Sequence, residues 1–270
     1  MPPLPTQPIT SRQNPKIKQA RALQTRKARE STGRFLVEGI RHVGEAIQAN
    51  FPLESVFYAP ALLRSEFAQK MLAQAREQGV EVYEVPADIF NTLAEKDGPQ
   101  GIIAVARQHT LPIAALTPAA HPWLVAAIAP QDPGNIGTIL RTMDAVGANG
   151  LLLLDGGADP WHPTVVRASM GALFWLPVVQ TSWDIFVQWA SPYHLYGTSA
   201  RGTTSYQETE YIQPCVLILG SEREGLRQEQ ANACERLIRL PMQGKGSSLN
   251  LAVAAGVMLF EMRVRFAKSY

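Results

Sequence analysis

The sequence predicts an α/β protein in two parts, a small α/β domain followed by a larger one built on a parallel sheet. Three observations carry this. Short apolar runs alternate with amphipathic segments of helical period along most of the 270 residues. A Pro-rich stretch holding Pro112, Pro118 and Pro122 interrupts the alternation. In the last quarter, Val216 to Leu219 and Leu237 to Leu240 are continuously apolar, as short buried strands are. The chain then reads as a basic arm over 1–30, an α/β domain over 31–108, a linker over 109–121 and a second domain over 122–270.

The arm stands out by charge. Residues 1–34 carry eight basic side chains against one acid, a net +7, while the remaining 236 residues carry 17 basic against 22 acidic, a net −5. A basic arm on a mildly acidic body suits a polyanion such as RNA. Arg12, Lys16, Lys18, Arg21, Arg26, Lys27 and Arg29 are its candidate contacts. The plain alternative is a solvated, partly disordered tail.

After the arm, Phe35 to Val37 reads as a strand and Gly39 to Asn50 as an amphipathic helix with Ile40, Val43 and Ile47 on one face. Strand Glu54 to Tyr58, helix Ser65 to Gln78 stopped by Gly79, strand Val80 to Val85, helix Ala87 to Glu95 and strand Gly101 to Ala106 follow. No cluster of catalytic side chains appears here, so this domain binds or positions.

The second domain opens with strand Trp123 to Ala129. Turn residues Pro133-Gly134 lead a helix that Asn135 can cap, Ile136, Ile139, Leu140 and Met143 supply its apolar stripe, and Gly147 ends it before strand Leu151 to Leu154. This is a βαβ unit bearing Arg141. Helix Pro163 to Gly171, strand Leu176 to Val179, helix Ser182 to Trp189 and strand His194 to Thr198 continue the alternation. The strands ending near Thr198, Gly220 and Leu240 empty into loops of small and polar residues, TSA, GSEREG and PMQGKGSSLN. Ligands of open α/β sheets lie at such strand ends. The last loop carries Ser247, Ser248, Leu249 and Asn250 into an apolar helix, Leu249 to Phe260, too short for a bilayer, which takes about 20 residues.

Several classes lose ground. The N-terminus lacks an apolar signal region, and no run reaches membrane length. Cys215 and Cys234 are the only cysteines and the five histidines are scattered, which gives no metal site and points to a reduced, cytoplasmic compartment. Neither a G-x-G-x-x-G fingerprint nor a G-x-x-x-x-G-K-[ST] loop occurs.

Three separated blocks, DPGNIGTILRTMDAVGA, LILGSEREGL and RLPMQGKGSSLNLAVAAGVMLFE, together resemble the signature motifs of SpoU/TrmH-type RNA 2′-O-ribose methyltransferases of the SPOUT superfamily. The domain before them resembles the ribosomal-protein-like substrate-binding domain many of these enzymes carry. The resemblance implies S-adenosylmethionine as cofactor, a C-terminal domain with a parallel sheet and a deep trefoil knot, a homodimer through that domain, and RNA, favouring ribosomal RNA, as partner. It assigns Asn135 and Arg141 to the first motif, Glu222 to the second, and Ser248 and Asn250 to the third. It lays the cofactor against Thr198, Ser199, Gly220, Leu240, Met242 and Leu249. Two departures stand out: SLNLA, where the family more often has SLNVS, puts Ala252 in place of a hydroxyl, and Arg223 is a bulky charge in the second loop. Lys245, in a basic and flexible Gly-Lys-Gly stretch, is placed to touch a phosphate. Arg141 is expected to hold the target phosphate and stabilise charge on the 2′-oxygen, with Glu222 and Asn250 orienting loops. The alternatives are a tRNA 2′-O-methyltransferase, a base methyltransferase, and a non-catalytic RNA-binding ribosome-assembly factor.

Overall fold

A computed structural model describes residues 8–95, 98–246 and 248–268. Packing divides the chain into two compact units: Met1–His109 with Trp161–Trp175, and Thr110–Pro160 with Leu176–Tyr270.

The first unit begins with two helices, α1 (Pro15–Ala22) and α2 (Arg26–Thr32), where the charge pattern left a tail open. Their ends are fixed locally. The Asn14 side chain accepts from Lys16 N with Pro15 opening the helix, and Thr25 accepts from Ala28 N. Gly33, at φ 64°, closes α2. Ile17, Ala20 and Leu23 recur at near-helical spacing and pack with Phe57, Tyr83, Ile103 and Val105 of the sheet. A fully buried Ile or Leu contributes about 1.5–3 kcal/mol, enough to hold so polar a pair of helices down.

Arg29 corrects one expectation. It is 1% exposed, and its guanidinium donates to the carbonyls of Leu23 at 2.9 Å and Gln24 at 3.0 Å. It therefore satisfies the carboxyl end of α1 and leaves the set of side chains available to RNA.

Strand β1 (Arg34–Glu38), α3 (Ile40–Gln48), β2 (Leu53–Tyr58), α4 (Glu66–Glu77), β3 (Glu81–Glu84), α5 (Ala87–Phe90) and β4 (Ile102–Arg107) complete the alternation. The sheet order is β1-β4-β2-β3, with only β2 and β3 parallel. Helix α5 is one turn rather than a helix to Glu95, because three-residue turns at Thr92 and Leu93 replace its four-residue bonds. Within this unit Trp161 packs against Phe35 at 4.9 Å and Phe174 against Phe51 at 5.1 Å between ring centres. Trp175 Nε1 donates to Glu45 at 3.1 Å.

The second unit runs through β5 (Trp123–Ile128), α6 (Pro133–Val146) and β6 (Gly150–Leu154). Helix α7 (Pro163–Ala168) belongs to the first unit. Then follow β7 (Val178–Thr181), α8 (Trp183–Trp189), β8 (His194–Thr198), β9 (Thr204–Ser205), β10 (Cys215–Leu219), α9 (Gln228–Ala233), β11 (Arg236–Arg239) and α10 (Leu251–Lys268). Every pairing in the sheet β7-β6-β5-β10-β8-β11-β9 is parallel. All residues of β5, β6 and β10 are buried, as in sheets covered on both faces. On one face, residues such as Ala126, Leu152 and Ile218 meet Trp183 and Phe186. Helix α10 packs on α6 and buries Leu251, Ala255, Met258, Leu259, Met262 and Phe266. Strands β6 and β7 lie on one side of β5 and β10, β8, β11 and β9 on the other, so the order reverses at the β5/β10 boundary. Among the described residues no helix is long and apolar enough to cross a membrane.

Replacing Arg29 with Met should destabilise the chain by about 1–3 kcal/mol, because one buried and one partly buried carbonyl lose their donor. Lys27→Met, at an exposed position, should change it by less than about 0.5 kcal/mol. Urea denaturation of both variants checks the contrast.

Candidate functional site

The carboxyl ends of β5, β10, β8 and β11 are neighbours in the sheet. Ala129, at φ 43°, turns the chain out of β5 in a conformation that costs a non-glycine residue about 1–2 kcal/mol. Asp132 then caps α6, accepting from Gly134 N at 2.7 Å, with Pro133 in the first turn. Asn135 is thus not the cap that the sequence suggested. It sits inside the first turn of the helix and is only 5% exposed.

A buried amide has to be satisfied. Asn135 Nδ2 donates to Glu222 Oε1 at 3.2 Å, and its Oδ1 accepts from Asn250 Nδ2 at 2.9 Å. Glu222 also accepts from Gln131 N, at 3.1 and 3.2 Å to its two oxygens. Asn250 Oδ1 accepts from Ala252 N at 2.9 Å and Val253 N at 3.2 Å, and so caps α10. The capping bonds fix the orientation of Asn250, since its oxygen must face the helix amides. That turns its Nδ2 to Asn135, which in turn must present Nδ2 to Glu222. The network joins one residue from each of the three sequence blocks.

Arg141 is not part of it. It is exposed on α6 and has no hydrogen bond or ion pair among the described residues. Ser248 is exposed beside Asn250, and Ser247 lies outside the described residues.

The strand-end residues line up as follows. Thr198 donates its hydroxyl to Ile218 O at 3.1 Å, Ser199 N donates to Ile238 O at 2.9 Å, and Ser199 Oγ accepts from Arg201 N at 3.2 Å. Gly220 is buried where the 221–225 loop folds back, and a Cβ there would stand 2.4 Å from the Gly225 carbonyl carbon. Leu240 is half-buried, and Met242 and Leu249 are each 40% exposed. Residues 241–246 are exposed, and their main chain makes no backbone hydrogen bond among the described residues. Free amides and carbonyls next to exposed Met and Leu side chains suit a flat ligand with a polar edge, such as an adenosyl group, so these residues fit the cofactor that the motifs imply.

Some supporting residues carry no motif-level signal. Arg227 donates to Asp155 Oδ2 at 3.1 Å, and Asp155 Oδ1 accepts from Trp183 N at 2.8 Å, tying the second-motif loop to α8. Gln131 contributes its main-chain amide. Asp132 went unread in favour of Asn135, although an Asp before Pro is a signal that could have found it. Burial pushes the Cys234 thiol up to about 12 and the Cys215 thiol higher still, so neither is a thiolate near neutral pH.

In the first unit Arg12 pairs with Asp88, Lys16 with Glu81 and Arg26 with Glu30, while Arg21 donates to Arg12 O. Lys18 and Lys27 are exposed with no ion pair among the described residues, and Lys245 of the second unit is exposed too.

Residues 122–260 match the SpoU rRNA Methylase family, and residues 14–104 match the MRM3-like substrate binding domain. The Bacillus subtilis 23S rRNA (guanosine(2553)-2'-O)-methyltransferase RlmP is 32% identical over 94% of this chain and 98% of its own length. This chain belongs to the SpoU rRNA methylase family. Its SpoU relatives include the 23S rRNA (uridine(2479)-2'-O)-methyltransferase of Streptomyces viridochromogenes, 33% identical over 94% of this chain and 90% of that protein. The AdoMet-bound rRNA methyltransferase from Sinorhizobium meliloti superposes with a TM-score of 0.87 at 32% identity, covering 96% of this chain and 97% of that one. The α/β fold with its parallel sheet is thus the fold of SPOUT methyltransferases. The SpoU match spans Asn135, Glu222 and Asn250 alike.

Asn250→Ala should cost about 1 kcal/mol for the lost cap and more for the orphaned Asn135 oxygen. A double-mutant cycle with Asn135→Ala should show a coupling of about 0.5–3 kcal/mol. Additive losses in urea denaturation would show the two amides to be independent.

Proposed function

We propose that this chain is an S-adenosylmethionine-dependent RNA 2′-O-ribose methyltransferase acting on ribosomal RNA. The observation that carries the reading is the Glu222–Asn135–Asn250 network at the β5/β10 boundary, where ligands of open α/β sheets bind. Thr198, Ser199, Gly220, Leu240, Met242 and Leu249 would hold S-adenosylmethionine. When bound, it supplies an electrophilic methyl group on a sulfonium sulfur.

The chain's own part is to position and activate a weak nucleophile. A guanidinium stays protonated in proteins, so Arg141 serves as a cation: it holds the phosphate of the target nucleotide and stabilises negative charge developing on the 2′-oxygen. Its freedom from any protein partner among the described residues leaves its donors for RNA. Glu222 and Asn250 fix the loops on either side, and the Ser248 hydroxyl beside Asn250 adds a polar contact for the ribose. The protonated cysteines speak against a base methyltransferase that works through a thiolate adduct.

Ribosomal RNA is favoured because two of the relatives, those described above, are named for 23S rRNA, and because the first unit matches a substrate-binding domain. Lys18 and Lys27, with Arg12, Lys16, Arg21, Arg26 and Lys245, are the cations to follow RNA phosphates. The same reading makes the protein a homodimer. Val253, Val257, Phe260 and Val264 form one stripe along α10 and are 52%, 38%, 57% and 48% exposed. A contiguous apolar stripe on a helix whose other face is already buried calls for a second protein surface. It also makes the C-terminal segment a trefoil knot, in keeping with β10 lying between β5 and β8 though it follows both in sequence.

Arg141→Ala should leave S-adenosylmethionine binding, read by calorimetry, within about two-fold of wild type, and cut transfer to ribosomal RNA by about 10²-fold or more. Retained turnover would overturn the role of Arg141, and no cofactor binding by the wild type would overturn the reading. Phe260→Asp should convert the dimer to monomer in sedimentation, since a charge would enter a buried apolar contact.

A further inference from the structure

The first unit holds a partly open cavity of about 230 Å³ between α1, α2 and the face of its sheet. Ala20, Leu23, Ala28 and Thr32 line the helix side. Val105, Ser55 and Glu81 form one row across β4, β2 and β3 on the sheet side, and Phe57 follows on β2. The space exists because Ala20, Ala28 and Ser55 are small. A Leu at any of them would fill it and recover contacts that an unfilled cavity forfeits. Ser55 is itself 8% exposed, and its hydroxyl makes no hydrogen bond among the described residues.

The rim is charged but compensated. Arg34 and Arg107 are direct cross-strand partners, an unfavourable pairing of like charges. The register shifts between Leu53 and Ser55, and Glu54, in the gap, accepts from Arg34 at 2.7 Å and Arg107 at 2.6 Å. Across the cavity Lys16 pairs with Glu81 and lies 4.7 Å from the centre of the Tyr83 ring. An anion would have to compete with two carboxylates there, and a metal cation would have to displace three basic side chains. A neutral ring meets neither obstacle. It has Phe57, Leu23 and Val105 to lie against, Ser55 and Gln19 for its polar edge, and carboxylate oxygens to accept from an exocyclic amine.

We propose that this cavity receives one unpaired, amine-bearing nucleobase splayed from the RNA substrate, with flanking phosphates on Lys18 and Lys27. The proposal rests on the RNA-directed reading above and names the part of the substrate this unit reads. Sequence-selective RNA recognition works through such splayed bases, and the compensated rim makes the pocket selective for a base rather than for phosphate.

The test is a titration of the full-length, isotope-labelled protein, followed by amide NMR, with the hexaribonucleotides rA6, rC6 and rU6 and an abasic ribose-phosphate hexamer. The amides of Ala28, Thr32 and Ser55 should shift and saturate with rA6 or rC6, respond more weakly to rU6, and stay still with the abasic strand. Phe57→Leu, which removes the ring that the base lies against, should weaken rA6 and rC6 binding about ten-fold, the worth of one stacked base. Ala28→Leu, which fills the cavity, should do the same with the rest of the spectrum unchanged. Lining amides that ignore every hexamer, or respond equally to the abasic one, would overturn the proposal. Adding S-adenosylmethionine to the same samples separates the two readings. Cofactor shifts in the second unit with silent lining amides lose only the pocket, whereas base-dependent lining shifts without cofactor shifts lose only the methyltransferase.

Discussion

Asn135 is a buried amide that must be satisfied on both its oxygen and its nitrogen, and the second unit is arranged around meeting that demand. Its two partners lie 87 and 115 residues further along the chain. Each partner also holds a neighbouring segment in place. Glu222 accepts from the main chain leaving β5, and Asn250 starts α10. In a low-dielectric interior an unmet amide is costly, and a fully met network rigidifies what it joins. One side chain therefore fixes the relative positions of three loops, and with them the strand ends against which an adenosyl ligand would lie.

The units divide the labour by composition. The parallel sheet is buried through its central strands and gives rigid strand ends, which is what a constellation held to a fraction of an ångström needs. The first unit carries the arm's charge on folded helices, and much of that charge is internally paired. Pairing weakens a general attraction to RNA and leaves, among the described residues of the arm, Lys18 and Lys27 exposed without an ion pair, in the same helices that line a cavity with a compensated rim. Such a surface reads shape and bases more than bulk negative charge.

Most strands and helices were legible from apolar period, and the three motif blocks marked the loops that meet. What the sequence hid has specific physical causes. The sequence left open whether the arm is a tail because α1 and α2 are mostly polar, although Asn14-Pro15 is a helix-start signal and Ile17, Ala20 and Leu23 share a face. Arg29 looks like its neighbours in sequence, since only burial distinguishes a cation that caps a helix from one that meets RNA. Helix α10 runs past Phe260 to Lys268 because Met262 and Phe266 continue its buried face at four-residue spacing among charges that masked it. The cap of α6 falls on Asp132 because Pro133 is already set for a first turn, which releases Asn135 for the network. The Asp155–Arg227 tie and the Gln131 main-chain bond had no sequence signal, being accidents of which strand ends lie side by side.

The most direct test of the account is a map of 2′-O-methylated nucleotides in ribosomal RNA from a strain lacking this chain. The unmodified RNA is then incubated with the purified protein and S-adenosylmethionine. The account predicts that one 2′-O-methyl mark is missing in the strain and returns in the incubation with the wild-type protein. An unchanged map, or a mark that returns on a base instead of a ribose, would contradict it.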